Sequence, residues 1–466
     1  MQPVNTRGGG DIFRAYDVRG IVGKQLGDST MRSIGRAVAT LHPDLPAIAV
    51  GYDGRLSSEH LAAALCTGLR ASGANVVEIG LAPTPMLYFA AHELCDGSGL
   101  MVTGSHNPPE YNGVKMMISG HTLAGDDIQQ VRAAIEGGRY TDGAGIAQSC
   151  EVLPGYVARV TADVRPARRL RIAVDCGNGA AGPAAKALFS RMDCELTCLY
   201  CDVDGRFPNH HPNPSVAENM AALQQRVRDD ELDIGFALDG DGDRLGVVDE
   251  RGEIIWPDRQ MMVYARDLLG RNPGAAVIYD VKSSRHLPQI VEQCGGSAYM
   301  SRTGHSFIKS MMREKGALLA GEMSGHIFFR DRWYGFDDGL YAAARMTEIV
   351  AADGRKCSEI FGDLPQAFGT PEINIHFERE GRQHDFMRRF MTRTPRFTGA
   401  RVGGRVDLTD GVRVEFDDGW GLVRASNTTP CLVARFEAES EQRLRELQQL
   451  FRTELLRVEP ALDIPF

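Results

Sequence analysis

The sequence predicts an α/β protein built as three related mixed-sheet α/β domains followed by a smaller C-terminal α+β domain. Three observations carry this. The chain has 466 residues, too many for one ordinary core at roughly 150 residues per domain. One pattern, an apolar strand running into a short polar loop, then a helix and a second strand, recurs three times. Beyond about residue 369 the pattern breaks.

The repeats begin at Ile48-Ala49-Val50-Gly51-Tyr52-Asp53, at Ile172-Ala173-Val174-Asp175 and at Val277-Ile278-Tyr279-Asp280. Each strand ends in aspartate, followed by Gly54-Arg55, Gly177-Asn178-Gly179 or Lys282-Ser283-Ser284. The helices carry apolar residues at three-to-four spacing, as in Leu61, Ala64, Leu65 and Leu69. They end near Gly73 in the first repeat and Gly295-Gly296 in the third, with Met192-Asp193 in that place in the second. Strand, crossover helix and parallel strand form a βαβ unit, so each repeat seeds a parallel or mixed sheet covered by helices. Ligands of such sheets gather at the carboxyl ends of the strands. The last part reads as strands at 373–377, 412–416 and 432–437, a helix at 383–393, and an amphipathic helix through Leu444, Leu447, Leu450, Phe451 and Leu455. Domains are therefore expected at 1–150, 151–253, 254–368 and 369–466.

Hydrophobic residues make up 43% and charged residues 24% of the chain, and no apolar run approaches the roughly 18 residues of a membrane span. Met1 to Gly10 is polar and glycine-rich, without the pattern of a signal peptide, so a cytoplasmic location is expected. A net charge of −9 argues against nucleic acid or an anionic membrane as partner. Oligomeric state is not written in the sequence, and a monomer is the default. Ten cysteines are too dilute for a disulfide framework. Cys194, Cys198 and Cys201, with His210 and His211 downstream, lack a second Cys-x-x-Cys and fit no common zinc template, so they are expected to be buried thiols.

Four segments carry chemistry. In Thr103-Gly104-Ser105-His106-Asn107-Pro108-Pro109-Glu110-Tyr111-Asn112-Gly113-Val114-Lys115 an apolar strand delivers Ser105 to a proline-bent loop. Asn112-Gly113 is expected to close it as a hairpin-type turn, leaving the serine hydroxyl exposed and aimed. A free serine is a poor nucleophile and needs a base or a transferable group already attached. In Asp239-Gly240-Asp241-Gly242-Asp243-Arg244 three carboxylates alternate with glycines, and on an extended segment they would share one side. They repel unless a cation joins them, and hard oxygen ligands favour Mg²⁺ or Ca²⁺. An EF-hand is excluded because Arg244 stands where that loop needs glycine. In Gly321-Glu322-Met323-Ser324-Gly325-His326, Glu322 and Ser324 can both face sugar hydroxyls. In Arg424-Ala425-Ser426-Asn427-Thr428-Thr429-Pro430 a guanidinium, hydroxyls and an amide suit a phosphate dianion, although a plain hairpin uses similar residues.

In this order, and with the opening Phe13-Arg14-Ala15-Tyr16-Asp17-Val18-Arg19-Gly20, with Lys282 and with Arg302-Thr303-Gly304-His305, the segments resemble the α-D-phosphohexomutase family. The likeness runs through essentially the whole chain and is to the bacterial phosphomannomutase/phosphoglucomutase branch. It implies four domains around a central cleft, each giving one loop. It implies that Ser105 is the phosphoserine and that Asp239, Asp241 and Asp243 hold Mg²⁺ together with a phosphoryl oxygen on Ser105. Glu322 and Ser324 become the sugar readers, and Arg424, Ser426, Asn427 and Thr428 the site of the non-reacting phosphate. Tyr16, Arg19, His106, Lys115, Arg244, Lys282, His305 and His326 fall around the reacting phosphate or ligand. Lys115 is expected to move a proton, with Arg19 and His326 supporting the reacting oxygens. The implied reaction interconverts hexose 1-phosphate and hexose 6-phosphate, of glucose or mannose, through a hexose 1,6-bisphosphate, with glucose 1,6-bisphosphate as activator. Phosphoglucosamine mutases typically carry glutamine in place of Met323, which disfavours that alternative. A metal-dependent serine phosphatase would not need the segment Arg424 to Pro430.

Overall fold

The computed structural model describes residues 12–379, 381–394, 397, 403–427 and 429–466. The first sheet contains β1 (Val18–Ile21), β2 (Ile48–Tyr52), β3 (Val76–Leu81), β4 (Gly99–Val102), β5 (Tyr111–Ile118), β6 (His121–Thr122) and β7 (Ala147–Ser149), ordered β1-β5-β4-β2-β3-β7 with β6 against β5. The second orders β8 (Arg171–Asp175), β9 (Glu195–Leu199), β10 (Ile234–Leu238), β11 (Leu245–Asp249) and β12 (Ile254–Ile255) as β12-β11-β10-β8-β9. The third orders β13 (Ala276–Asp280), β14 (Ser297–Ser301), β15 (Leu319–Gly321) and β16 (Ile327–Phe329) as β14-β13-β15-β16.

The repeat is topological as well as sequential. In each sheet a central strand (β2, β8 or β13) lies between two parallel neighbours. One of those neighbours (β4, β10 or β15) then turns into an antiparallel return strand (β5, β11 or β16). The Ser105, aspartate and Glu322 loops occupy this same turn, at the carboxyl ends of β4, β10 and β15. The strand-ending aspartates are fasteners. Asp53 accepts from the Thr103 hydroxyl and the Gly104 N–H, and Asp280 accepts from the Met323 N–H.

In the fourth domain β17 (Phe368–Gly369), β18 (Ile373–His376), β19 (Arg405–Asp407), β20 (Val412–Phe416), β21 (Gly419–Ala425) and β22 (Cys431–Ala438) form an antiparallel sheet. The helix Glu441–Val458 packs on it through Leu447, Phe451 and Leu455.

Two local expectations are corrected. Asn112-Gly113 lies inside β5 rather than at a turn, because Gly113 pairs with β1 so closely that a Cβ would sit 2.1 Å from the Val18 carbonyl oxygen. The three aspartates do not ride an extended strand. The chain between β10 and β11 turns, with Gly242 at φ +74°, and the turn makes the carboxylates converge.

One apolar core runs through the first three domains, from Leu87 and Phe89 through Leu188 and Phe236 to Tyr264 and Leu340, and the first domain has a further core of its own around Ile34, Leu65 and Val114. The fourth has its own core. It docks on the third through Val281, Trp420 and Leu422. Arg413 lies over the Trp420 ring at 3.8 Å and donates to the carbonyls of Val281 and Ser283.

Candidate active site

Ser105 is held in a strained backbone, with φ at +48°, a region that costs a non-glycine residue about 1–3 kcal/mol and persists where the surroundings overdetermine it. Here Arg55 does so. Its buried guanidinium pairs with Asp53 at 3.2 Å and donates to the carbonyls of Ser105, Asn107, Pro108 and Tyr111. The serine is not exposed as expected: it is 2% accessible, at the floor of a cleft covered by the other domains. Its hydroxyl donates to Asp239 at 2.9 Å and lies 3.2 Å from His106 Nδ1.

Asp239, Asp241 and Asp243 are fully buried, and one oxygen from each lies within 4.8 Å of the others. Asp239 accepts from the N–H groups of Asp243 and Arg244. Thr84, from the first domain, donates to Asp241 at 2.6 Å. Lys115 bridges Asp241, at 2.7 Å, and Asp243. Asp241 Oδ1 has no hydrogen-bond donor, and Asp243 Oδ1 has none nearer than His326 Nε2 at 3.3 Å. Buried acceptors short of donors, in a group of three carboxylates, fit a hard divalent cation. Burial and then the charges of Asp241 and Asp243 push Asp239 well above the usual carboxylate range, as expected of three carboxylates in one dry site. Burial disfavours the Lys115 ammonium, but Asp241 and Asp243 more than compensate and hold it protonated.

The Glu322 loop meets the aspartate loop directly, since Arg244 and His326 form an isolated β-bridge. His326 Nδ1 donates to Glu322 at 2.8 Å, and its Nε2 lies 3.3 Å from Asp243. Burial opposes its charge, yet Asp243 and Glu322 outweigh both burial and the repulsion of Arg244, so its pKa rises to about 9. His106 is the opposite case. Burial, Arg244 and Arg19 keep it neutral beside Ser105. Glu322 also accepts the Gly304 N–H, and the Ser324 hydroxyl is 3.1 Å from His326.

Lys282 pairs with Glu372 at 2.5 Å, and Arg424 with Asp410 at 2.8 Å. Arg19 donates to Asn107 and Asp17, each at 2.5 Å, and Tyr16 packs edge-on against His305 at 5.7 Å.

One cavity of about 350 Å³ collects these groups. Tyr16, Arg19, Ser105, His106 and Lys115 line it from the first domain, and Arg244 from the second. Lys282, His305, Glu322, Ser324 and His326 line it from the third, and Arg424, Ser426 and Asn427 from the fourth. The three aspartates lie behind its floor, and Thr428 lies outside the described residues. Sequence reasoning missed Asn213, Ser215, Thr303, Glu372 and Asn374, which also line it. It also missed Asp337, buried 3.0 Å from Lys309 and 3.7 Å from His305. Thr303 sits inside the segment Arg302-Thr303-Gly304-His305 but was given no role there; the others belong to no chemical motif, and the pairing of Glu372 with Lys282 spans 90 positions.

The four domains match, in order, the phosphoglucomutase/phosphomannomutase α/β/α domain I over residues 10–142, domain II over 154–252, domain III over 256–368 and the C-terminal domain over 372–454. The chain belongs to the phosphoglucomutase/phosphomannomutase family. It is a hexose phosphate mutase, an enzyme that transfers phosphate within a molecule. Among its relatives, a phosphomannomutase/phosphoglucomutase of Pseudomonas putida is 49% identical over 461 residues, 98% of this chain and 97% of that one. A phosphoglucomutase of Neisseria gonorrhoeae is 48% identical over 446 residues, 95% and 96% of the two chains. The crystal structure of a phosphoglucomutase/phosphomannomutase family protein from Burkholderia thailandensis superposes with a TM-score of 0.90 at 45% identity, covering 98% of this chain and 99% of that one. In this mutase no helix among the described residues is long and apolar enough to cross a membrane. The cysteine and histidine cluster forms no metal group among the described residues. His210 is paired with Asp175 at 2.9 Å, and His211 donates to the His106 carbonyl.

Proposed function

We propose that the enzyme interconverts the 1- and 6-phosphates of glucose and mannose, that Ser105 carries the phosphoryl group, and that a hexose 1,6-bisphosphate is the intermediate. The observation that carries this is the placement of the Ser105 hydroxyl 2.9 Å from Asp239 in a cavity whose other wall is Arg424, Ser426 and Asn427. A phosphatase needs only the first wall. The division of labour follows domains at 1–150, 151–253, 254–368 and 369–466, one loop from each.

Asp239, Asp241 and Asp243 would hold Mg²⁺, which when bound supplies positive charge against the transferring phosphoryl oxygens. In the first half-reaction the Ser105 Oγ–P bond breaks, the serine oxygen takes a proton from Lys115, and a bond forms from phosphorus to the free sugar hydroxyl, whose proton passes to water. In the second, the other phosphate of the turned-over bisphosphate returns to Ser105. Lys115, held as an ammonium, gives a proton in one half and recovers it in the other. Arg19 and the His326 imidazolium lie where charge builds on the reacting oxygens. Arg424, Ser426, Asn427 and Thr428 hold the phosphate that does not react, while Tyr16, His106, Arg244, Lys282, His305, Glu322 and Ser324 position the sugar phosphate. Glucose 1,6-bisphosphate would rephosphorylate Ser105 when intermediate escapes. A reader of sugar hydroxyls other than O2 accepts both epimers.

The test is incubation with glucose 1-phosphate or mannose 1-phosphate, Mg²⁺ and trace glucose 1,6-bisphosphate. The 6-phosphates are expected from both. Free inorganic phosphate would make the protein a phosphatase, and conversion of glucosamine 1-phosphate alone would move it to another branch.

A further inference from the structure

We propose that Cys176 and Cys201 form a hydroperoxide-sensitive thiol pair, and that its disulfide reaches the metal-binding loop through the backbone of residues 176–180. Cys176 follows β8 and Cys201 follows β9, two neighbouring parallel strands. The register pairs Asp175 with Leu199, so Cys176 falls beside Tyr200 and Cys201 is one residue further along the neighbouring chain. Tyr200, at φ +48°, turns the chain so that Cys201 faces inward. The two sulfurs lie 3.3 Å apart. Both residues are buried, at 0% and 4% exposure, and neither has a role in phosphoryl transfer. Cys198 completes a Cys-x-x-Cys with Cys201 and is exposed.

The pair is chemically asymmetric. In the neutral pair the Cys201 thiol donates to the Cys176 sulfur; with Cys201 ionised the Cys176 thiol can donate back, and this, with Cys198 and Lys186 and against burial, holds the Cys201 thiol below its ordinary pKa. The thiolate is the reactive form. Cys201 sulfur attacks hydrogen peroxide, an S–O bond forms and the O–O bond breaks, releasing water and leaving a sulfenic acid. Cys176 sulfur then attacks that sulfur. The S–S bond forms, the S–O bond breaks and a second water leaves, so one peroxide oxidises two thiols.

The link to the metal loop is short. The Gly179 N–H donates to the Cys176 carbonyl at 2.7 Å, and the Ala180 N–H to the Gly240 carbonyl at 2.9 Å. A Cβ on Gly179 would meet the Gly240 oxygen at 2.7 Å, so the contact is close packed. Drawing two sulfurs from 3.3 Å to about 2.05 Å displaces this brace beneath Asp239 and Asp241. This second part rests on the metal reading above, whereas the crosslink does not.

The full-length protein is treated with a small molar excess of hydrogen peroxide, remaining thiols are blocked, and peptides are mapped without reduction. A Cys176–Cys201 crosslink, two hydrogens lighter than the dithiol and reversed by dithiothreitol, is expected. It should persist in Cys198→Ser and be absent in Cys201→Ala. Oxidation confined to Cys198, with Cys176 and Cys201 recovered as free thiols, overturns the pair. The crosslinked enzyme should need several-fold more Mg²⁺ for half-maximal turnover, and unchanged Mg²⁺ dependence overturns the coupling.

Discussion

Lys115 shows why single side chains in this site are worth perturbing one at a time. Its ammonium bridges two of the three buried carboxylates but offsets only one negative charge, which leaves the remainder for one divalent cation beside Asp241 Oδ1, which has no donor, and Asp243 Oδ1, which only His326 approaches. Asp241→Asn removes one anionic ligand while keeping shape. It should weaken the Mg²⁺ dependence at least as much as the ~10- to 100-fold that losing an outer-sphere partner costs, with a severe fall in kcat. Activity unchanged at limiting Mg²⁺ would make the triplet structural. At the opposite wall, Arg424→Ala should raise KM for glucose 1-phosphate and mannose 1-phosphate alike, by about 10- to 100-fold if a charge-assisted bond of roughly 1.5–3 kcal/mol is lost. Phosphorylation of Ser105 should survive, and the variant should need more added bisphosphate as intermediate escapes. Wild-type kinetics without added bisphosphate would make the segment an ordinary hairpin.

At the scale of elements, the parallel strand, loop and return strand repeat explains why three loops of unrelated sequence reach one cleft. The strand-ending aspartates were legible as a repeat, since Asp53, Asp175 and Asp280 follow like apolar runs, but their work was not. Asp53 fastens a loop about fifty positions away, a relation no local pattern holds. The same limit hid the burial of Ser105, because what covers it comes from other domains. Asp193 is a smaller case. It stands where the other repeats end their helix near glycine, and it takes the glycine's left-handed conformation, φ +56°. That conformation costs an ordinary L-residue roughly 1–2 kcal/mol, and aspartate tolerates it better than most. Asp193→Gly should therefore stabilise the protein by up to about 1 kcal/mol after the greater flexibility of unfolded glycine is set against it. A lower midpoint in denaturant would show that the carboxylate matters more than the backbone.

Across the whole molecule, one core runs through three domains, and the fourth, packed around a separate core, brings Arg424 to the cavity. This arrangement suits an enzyme whose intermediate must turn between a fixed phosphoryl site and a phosphate clamp. The domain order and the four loops were readable because each motif is contiguous. Glu372 and Asp337 were not, because each is paired with a partner distant in sequence. The proposed reaction depends above all on Ser105 as the carrier of phosphate. Its most direct test is peptide mapping by mass spectrometry after incubation with glucose 1,6-bisphosphate, in parallel with turnover of Ser105→Ala. One phosphate on Ser105, absent from an inactive Ser105→Ala, is the predicted result; phosphate reproducibly on another serine, with Ser105→Ala fully active, would contradict it.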